Sequence, residues 1–363
     1  MKLNRALLLL TVLTPLGFAD TIHKTDGTAI EDCTIENETL TEVSYKPGGK
    51  GKAKTVPSDQ VLKVEFEKLP AEIDRAQEAI KEGLLLAAVD DLELYLDGIE
   101  GGKKERRDWA PPLATHMLVE VNRTMGELDS VLKFSDQLLQ KFPESRYVPE
   151  TYLVRASTFF DKGDAGKAKT VISNFAKVIS DKGLSQRWRL EADLGEVIYD
   201  AGVRGQARRD KLASVSSAAG SAYPTVRNRA DVAEAESFIE DKKYNDAEKI
   251  LTRVVKEPNA DAATRAAAFA GLGDCLFQKA SGMAKGSDEQ QKTLKESLLS
   301  FLRVVINYKD QSRYVPRSLF YAGRCFDLMG GQEDNARTLY LRVVRNYPGS
   351  NWANEAKSFI KRS

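Results

Sequence analysis

Few residues in this sequence have the types and spacing that chemistry demands. Histidine, the side chain best suited to relay protons near neutral pH, occurs only twice, at His23 and His116. Neither stands in an H-x-x-H or H-E-x-x-H spacing, so both read as surface or half-packed side chains, and no metal or cofactor is expected. The three cysteines, Cys33, Cys275 and Cys325, are odd in number and far apart, which gives no disulfide framework. At least one reads as a buried free thiol serving as a small apolar residue. Gly271-Leu272-Gly273-Asp274-Cys275 has the look of a thiol site. Yet Cys275 and Cys325 hold equivalent positions in a repeating pattern described below, which favours packing over catalysis. Asp90, Asp91 and Glu93 are acidic neighbours that read as the solvated face of a helix. No phosphate-binding glycine loop, nucleophile elbow or dinucleotide fingerprint is present. Catalysis is not expected.

At 363 residues the chain is too long for one ordinary compact domain and suits two domains or an extended array. Fifty-four basic side chains against 53 acidic ones leave a formal charge of +1, so global charge argues for no nucleic-acid partner. The N-terminus is more specific. Lys2 and Arg5 precede an apolar run from Ala6 to Leu16, and Gly17-Phe18-Ala19 supplies small residues before Asp20. That order is a secretory signal peptide spanning residues 1–19, cut between Ala19 and Asp20. The run is short of the roughly 20 residues that span a bilayer, and no cysteine follows it closely for lipid attachment. An exported, periplasmic protein is therefore expected; an uncleaved anchor or full secretion is the lesser reading. Nothing later is apolar enough to cross a membrane.

Residues 20–69 alternate apolar with polar in short runs, the period-2 pattern of half-buried strands: 21–23, 29–35, 42–45, 54–56 and 61–66. Asp26-Gly27 signals a tight turn and Pro47-Gly48-Gly49 a longer hairpin loop. Five such strands suit a small SH3-like barrel or an open antiparallel sheet. Lysines 46, 50, 52 and 54 crowd the long loop, where they could touch an anionic polymer or head group. The plainer reading is a solvated hairpin tip that discourages edge-to-edge pairing, since no aromatic residue lies among them to stack on bases or sugars. Pro70 ends the segment.

From residue 70 to 363 the chain repeats itself. Ser145-Arg146-Tyr147-Val148-Pro149 recurs letter for letter as Ser312-Arg313-Tyr314-Val315-Pro316. Leu302 to Tyr308 is echoed by Leu341 to Tyr347. A helix-turn-helix unit of about 34 residues wants a bulky residue at position 4, a small one at 8, a large one at 11, Ala at 20, and large apolar residues at 24 and 27. From Pro149 these are Tyr152, Ala156, Phe159, Ala168, Ile172 and Phe175. From Pro316 they are Leu319, Gly323 and Phe326, then Ala336, Tyr340 and Val343 after one extra residue. A copy starting at Asn228 misses at position 4, where Asp231 stands, and fits elsewhere; one starting at Ala266 fits with an insertion around 281–291, and weaker copies fill the remainder. Small residues at 8 and 20 let paired helices approach, and each pair leaves an apolar face for the next to cover, so a superhelix results.

Through these residues, and through the repeat ends Phe142-Pro143-Glu144-Ser145 and Tyr347-Pro348-Gly349-Ser350, the chain resembles tetratricopeptide repeat proteins, their periplasmic subset above all. Similar repeats occur in the outer-membrane β-barrel assembly lipoprotein and in the Tol-associated cell-division coordinator. The fold this implies is mainly α: a tetratricopeptide-like α-α superhelical solenoid preceded by a small SH3-like β segment. What it implies for function is a non-enzymatic scaffold of the cell envelope that holds a protein or peptide in its concave groove. An envelope-polymer binder acting through the β segment is the alternative.

In such a solenoid, positions 2, 5, 9 and 12 of each first helix point into the groove. They select Arg317 at 2, Leu153 and Phe320 at 5, Arg324 at 9, and Phe160 and Phe277 at 12. Aromatic anchors beside arginines are what the centre of an interface tends to use. A plainer reading, that each side chain covers the adjacent repeat, stands beside it.

Overall fold

A computed structural model describes residues 19–360, so the expected signal peptide lies outside the described residues except for Ala19. The chain begins with five strands: β1 (Asp20–Lys24), β2 (Ala29–Glu38), β3 (Glu42–Pro47), β4 (Lys54–Pro57) and β5 (Val61–Glu65). They form one antiparallel sheet in the order β4-β3-β2-β1-β5, with β4 and β5 at its edges. Alternation places Ile22, Cys33, Ile35, Val43, Tyr45 and Val56 on the buried side. The β1–β2 turn works because Gly27 takes a positive φ of 85° and the Asp26 carboxylate accepts the Thr28 N–H at 2.9 Å. Asp20, the first residue of β1, accepts the Ile35 N–H at 2.7 Å and the Glu67 N–H at 2.8 Å, which ties the start of the sheet to its end.

Helices follow in antiparallel pairs: α1 (Ala71–Glu82) with α2 (Leu85–Glu100), α3 (Ala110–Met125) with α4 (Leu128–Lys141), and α5 (Val148–Asp161) with α6 (Ala165–Lys182). The next are α7 (Gln186–Tyr199) with α8 (Gly205–Ala219), and α9 (Pro224–Glu240) with α10 (Tyr244–Val254). Last come α11 (Ala262–Ser281) with α12 (Asp288–Asn307), and α13 (Val315–Met329) with α14 (Glu333–Asn346). A final helix, α15 (Asn351–Ile360), covers the seventh pair. In both copies of the repeated pentapeptide the proline is the second helical residue, where its missing N–H leaves no partner unsatisfied. The insertion expected around 281–291 is a six-residue loop, 282–287, between two lengthened helices. Both α11 and α12 run 20 residues, and Ser287 caps α12 by accepting the Gln290 N–H.

Close approach between helices sets the spacing. A Cβ placed on Gly323 would lie 2.6 Å from the Tyr340 ring, and one on Gly273 would lie 2.6 Å from Phe301. The same happens between pairs, where Gly195 meets Ile172 at 2.7 Å and Gly271 meets Leu251 at 2.9 Å. Apolar packing is correspondingly serial. One cluster joins the sheet to α1–α7, and three more continue through α7–α9, α9–α11 and α11–α15. The first cluster is sealed by Phe66 stacked on Trp109 (ring centroids 3.6 Å), by the Leu40 N–H to the Glu144 carbonyl (2.6 Å), and by Arg187 to the Asp59 carbonyl (2.6 Å).

Tyr340 is 1% exposed and its hydroxyl donates to the Asp327 carboxylate, so the ring cannot swing away from a new methyl group. Gly323→Ala is therefore expected to destabilise the chain by about 1–3 kcal/mol despite alanine's better helix propensity. Chemical denaturation checks this, and an unchanged or raised midpoint would contradict it.

Candidate functional site

The two copies of Ser-Arg-Tyr-Val-Pro sit at the starts of α5 and α13, and each reaches to a distant part of the chain. In the first, Arg146 Nε donates to Glu38, the last residue of β2, at 2.5 Å. The Arg146 and Glu38 side chains are only 9% and 1% exposed. Arg146 lies over the Tyr147 ring at 4.2 Å, and His116 of α3 stacks on that ring at 4.3 Å. Burial pushes the Glu38 carboxyl up and Arg146 pulls it back. This copy fastens the sheet to the solenoid.

In the second copy the array has curved round far enough to meet itself. Ser312 donates to the carbonyl of Arg123 near the end of α3 at 2.6 Å, and Arg313 Nε lies 3.4 Å from Asp161 at the end of α5. The first helices of the pairs face one another here across a concave space. Tyr199 of α7, tilted on Phe160 at 5.3 Å between ring centroids, lies beside the Asp161 and Arg313 charges. Arg229 of α9 pairs with Glu191 of α7 at 2.6 Å. Arg313 and Arg229 keep 41% and 34% of their side chains open to solvent, so the lining is ringed by protein and still wet. Tyr314 and Asp161 hold the Arg313 pKa above its ordinary value, so the guanidinium stays charged. Burial raises the Asp161 carboxyl, opposed by Arg313 and Arg123.

The six side chains selected from the sequence fall into two groups. Leu153 and Phe160 are half-buried on α5, against the first core cluster. The other four meet around α13. Phe277 is buried and packs edge-on to Tyr321, with Arg324 5.9 Å above its ring. Phe320 is buried among Tyr340, Trp352 and Phe359, and Arg324 also lies 4.5 Å over Phe359. Arg317 meets Asp274 of α11 at 2.5 Å. The α15 rings that cover Phe320 come from a helix with no counterpart in the repeat pattern. Asp161, Tyr199, Arg229 and Arg313 were not singled out by position. Their one sequence signal was the arginine shared by the identical pentapeptides.

The groups that might have done chemistry are packed or paired. Burial pushes the Cys275 and Cys325 thiols up to about 12 and that of Cys33 up to about 11, far from the thiolate a nucleophile needs. Asp91 pairs with Arg75 at 2.6 Å and Glu93 with Lys133 at 3.4 Å. Lys46 pairs with Glu36, whereas Lys50, Lys52 and Lys54 are exposed. Among the described residues no group of three His, Cys, Asp or Glu side chains could hold a metal ion, and no helix is long and apolar enough to cross a membrane.

The architecture is thus a right-through solenoid of antiparallel helix pairs behind a five-stranded sheet. Residues 317–350, most of α13 and all of α14, match the family model of the tetratricopeptide repeat, and the preceding six pairs follow the same helix-turn-helix plan. No curated protein matches the chain. Among solved structures, the apo form of RapI superposes with a TM-score of 0.50 at 10% identity, covering 80% of this chain and 98% of that one. A tetratricopeptide repeat protein from Parabacteroides merdae gives a TM-score of 0.44 at 14% identity, covering 80% and 96%. At such identity the likeness to RapI is one of fold alone.

Asp274, 4% exposed, has its carboxyl pushed up to about 7 by burial, with Arg317 opposing. Between about pH 4 and pH 7 the folded chain holds more proton on this residue than the unfolded chain does, so this group's contribution to stability falls as pH rises through that window. Asp274→Asn is expected to flatten the decline in denaturation midpoint from pH 4.5 to 7.5; an unaltered slope would contradict the assignment.

Proposed function

We propose that this protein is an exported, non-enzymatic scaffold that holds a protein or peptide partner along the inner face of its solenoid, in the organisation of the cell envelope. The observation that carries the reading is the inner face itself. Phe160, Tyr199, Arg229, Asp161 and Arg313 converge there from three first helices and the turn before a fourth, and combine rings with solvent-reachable charges. Solenoids of this kind offer extended concave surfaces, and aromatic residues beside arginines make effective interface centres. Leu153 on α5 and Arg317 and Arg324 on α13, all half-buried, extend the proposed contact region, and the buried Phe277 and Phe320 pack behind the two arginines.

Export rests on the charged, apolar and small-residue order of the first 19 residues. The envelope assignment rests on the Tyr-Pro-Gly-Ser and Phe-Pro-Glu-Ser repeat ends shared with periplasmic repeat proteins.

A photo-crosslinking residue at Phe160, on the inner face, is expected to capture a specific protein in envelope fractions. The same residue at the exposed Leu299 of α12, a second helix, is expected to capture none. Capture from Leu299 alone would contradict the groove reading, and recovery of a chain beginning at Met1 would contradict cleavage after Ala19.

A further inference from the structure

We propose that Ser312-Arg313-Tyr314 is a releasable latch that holds the solenoid closed across its groove. Both copies of the pentapeptide dock an arginine on a carboxylate far away in the chain, but their surroundings differ in the way that decides permanence. Arg146 and Glu38 are 9% and 1% exposed at 2.5 Å, sealed between sheet and helices, with the Tyr147 ring against the guanidinium at 4.2 Å. Arg313 and Asp161 are 41% and 29% exposed at 3.4 Å, and the guanidinium lies 5.6 Å from the Tyr314 ring. Exposed ion pairs are weak and screened by salt, whereas breaking one side of a buried pair strands a charge away from water. The same five residues therefore make one fixed joint and one reversible one.

The position of the reversible joint gives it leverage. It links the seventh helix pair to the second and third, and beside it the Ser312 hydroxyl donates to the Arg123 carbonyl. Between them lie pairs whose main packing is with their neighbours, so small rotations at each interface add up once the latch is free. The charges that act on Arg313 belong to the inner face: Asp161 and Glu236 attract it, while Arg123 lies near Asp161 and Arg229 near Tyr199. A partner entering the groove as proposed above would meet this segment first. The latch itself is independent of that reading, because closure is a property of the free chain.

The test uses the full chain with nitroxide labels at Glu127→Cys and Lys309→Cys, two exposed positions flanking the contact; the three native cysteines are buried. Pulsed electron–electron resonance at low salt is expected to give one short distance. Arg313→Ala, Asp161→Ala or 1 M NaCl should each move most of the population to longer distances, and Arg313→Asp combined with Asp161→Arg should restore the short one. Circular dichroism and thermal midpoint should stay near wild type in these variants. Arg146→Ala, in contrast, should lower the midpoint without lengthening the labelled distance selectively. A distance distribution unchanged by Arg313→Ala and by salt would overturn the latch.

Discussion

One helix carries a ring where the next would otherwise carry a Cβ, and the rest of the architecture depends on that constraint. Tyr340 fills the space over Gly323 and Phe301 fills the space over Gly273, so the helices of the sixth and seventh pairs can approach only because those positions lack a side chain. Ile172 against Gly195 and Leu251 against Gly271 repeat the device between pairs. A fixed spacing within and between pairs gives a nearly constant rotation per pair, and constant rotation is what turns a row of hairpins into a curved array. Curvature then decides which distant residues meet. Arg123, Asp161 and Ser312 are neighbours because five successive interfaces turn the same way.

The identical pentapeptides illustrate how one local motif acquires two roles from that geometry. Each copy starts a helix, with proline at its second residue, and each frees an arginine just before the helix to point away from it. At the third pair the nearest element is the sheet, and the arginine closes a dry joint on Glu38. At the seventh pair the arginine meets Asp161 of the third pair, and the joint stays wet. Inner-face rings and charges are gathered at that second meeting point, which is why the proposed partner surface and the closing contact coincide.

Much of this was legible in the sequence for a physical reason: packing rules act locally. Alternation gave the strands, and the small residues at Ala156, Gly273 and Gly323 marked the helix pairs because a larger side chain would not fit. The insertion near residue 281 was visible as extra length, but whether extra length becomes loop or helix depends on whether the neighbouring helices can cover it. Here they can, and α11 and α12 each lengthen. Helix α15 departs from the repeat in packing against both α13 and α14. Its Trp352, Ala353, Ala356 and Phe359 are spaced to cover the last pair, and so they bury Phe320. The pairing of Arg313 with Asp161 could not be read from local pattern, since it is the sum of rotations over several interfaces.

The account's central claim is that the array is curved enough to close on itself through a contact that water can reach. Small-angle X-ray scattering of the chain from Asp20 onward measures this directly. The account predicts a compact particle at low ionic strength whose radius of gyration grows in 1 M NaCl while helix content stays constant. A particle already extended at low ionic strength, or one whose dimensions ignore salt, would contradict it.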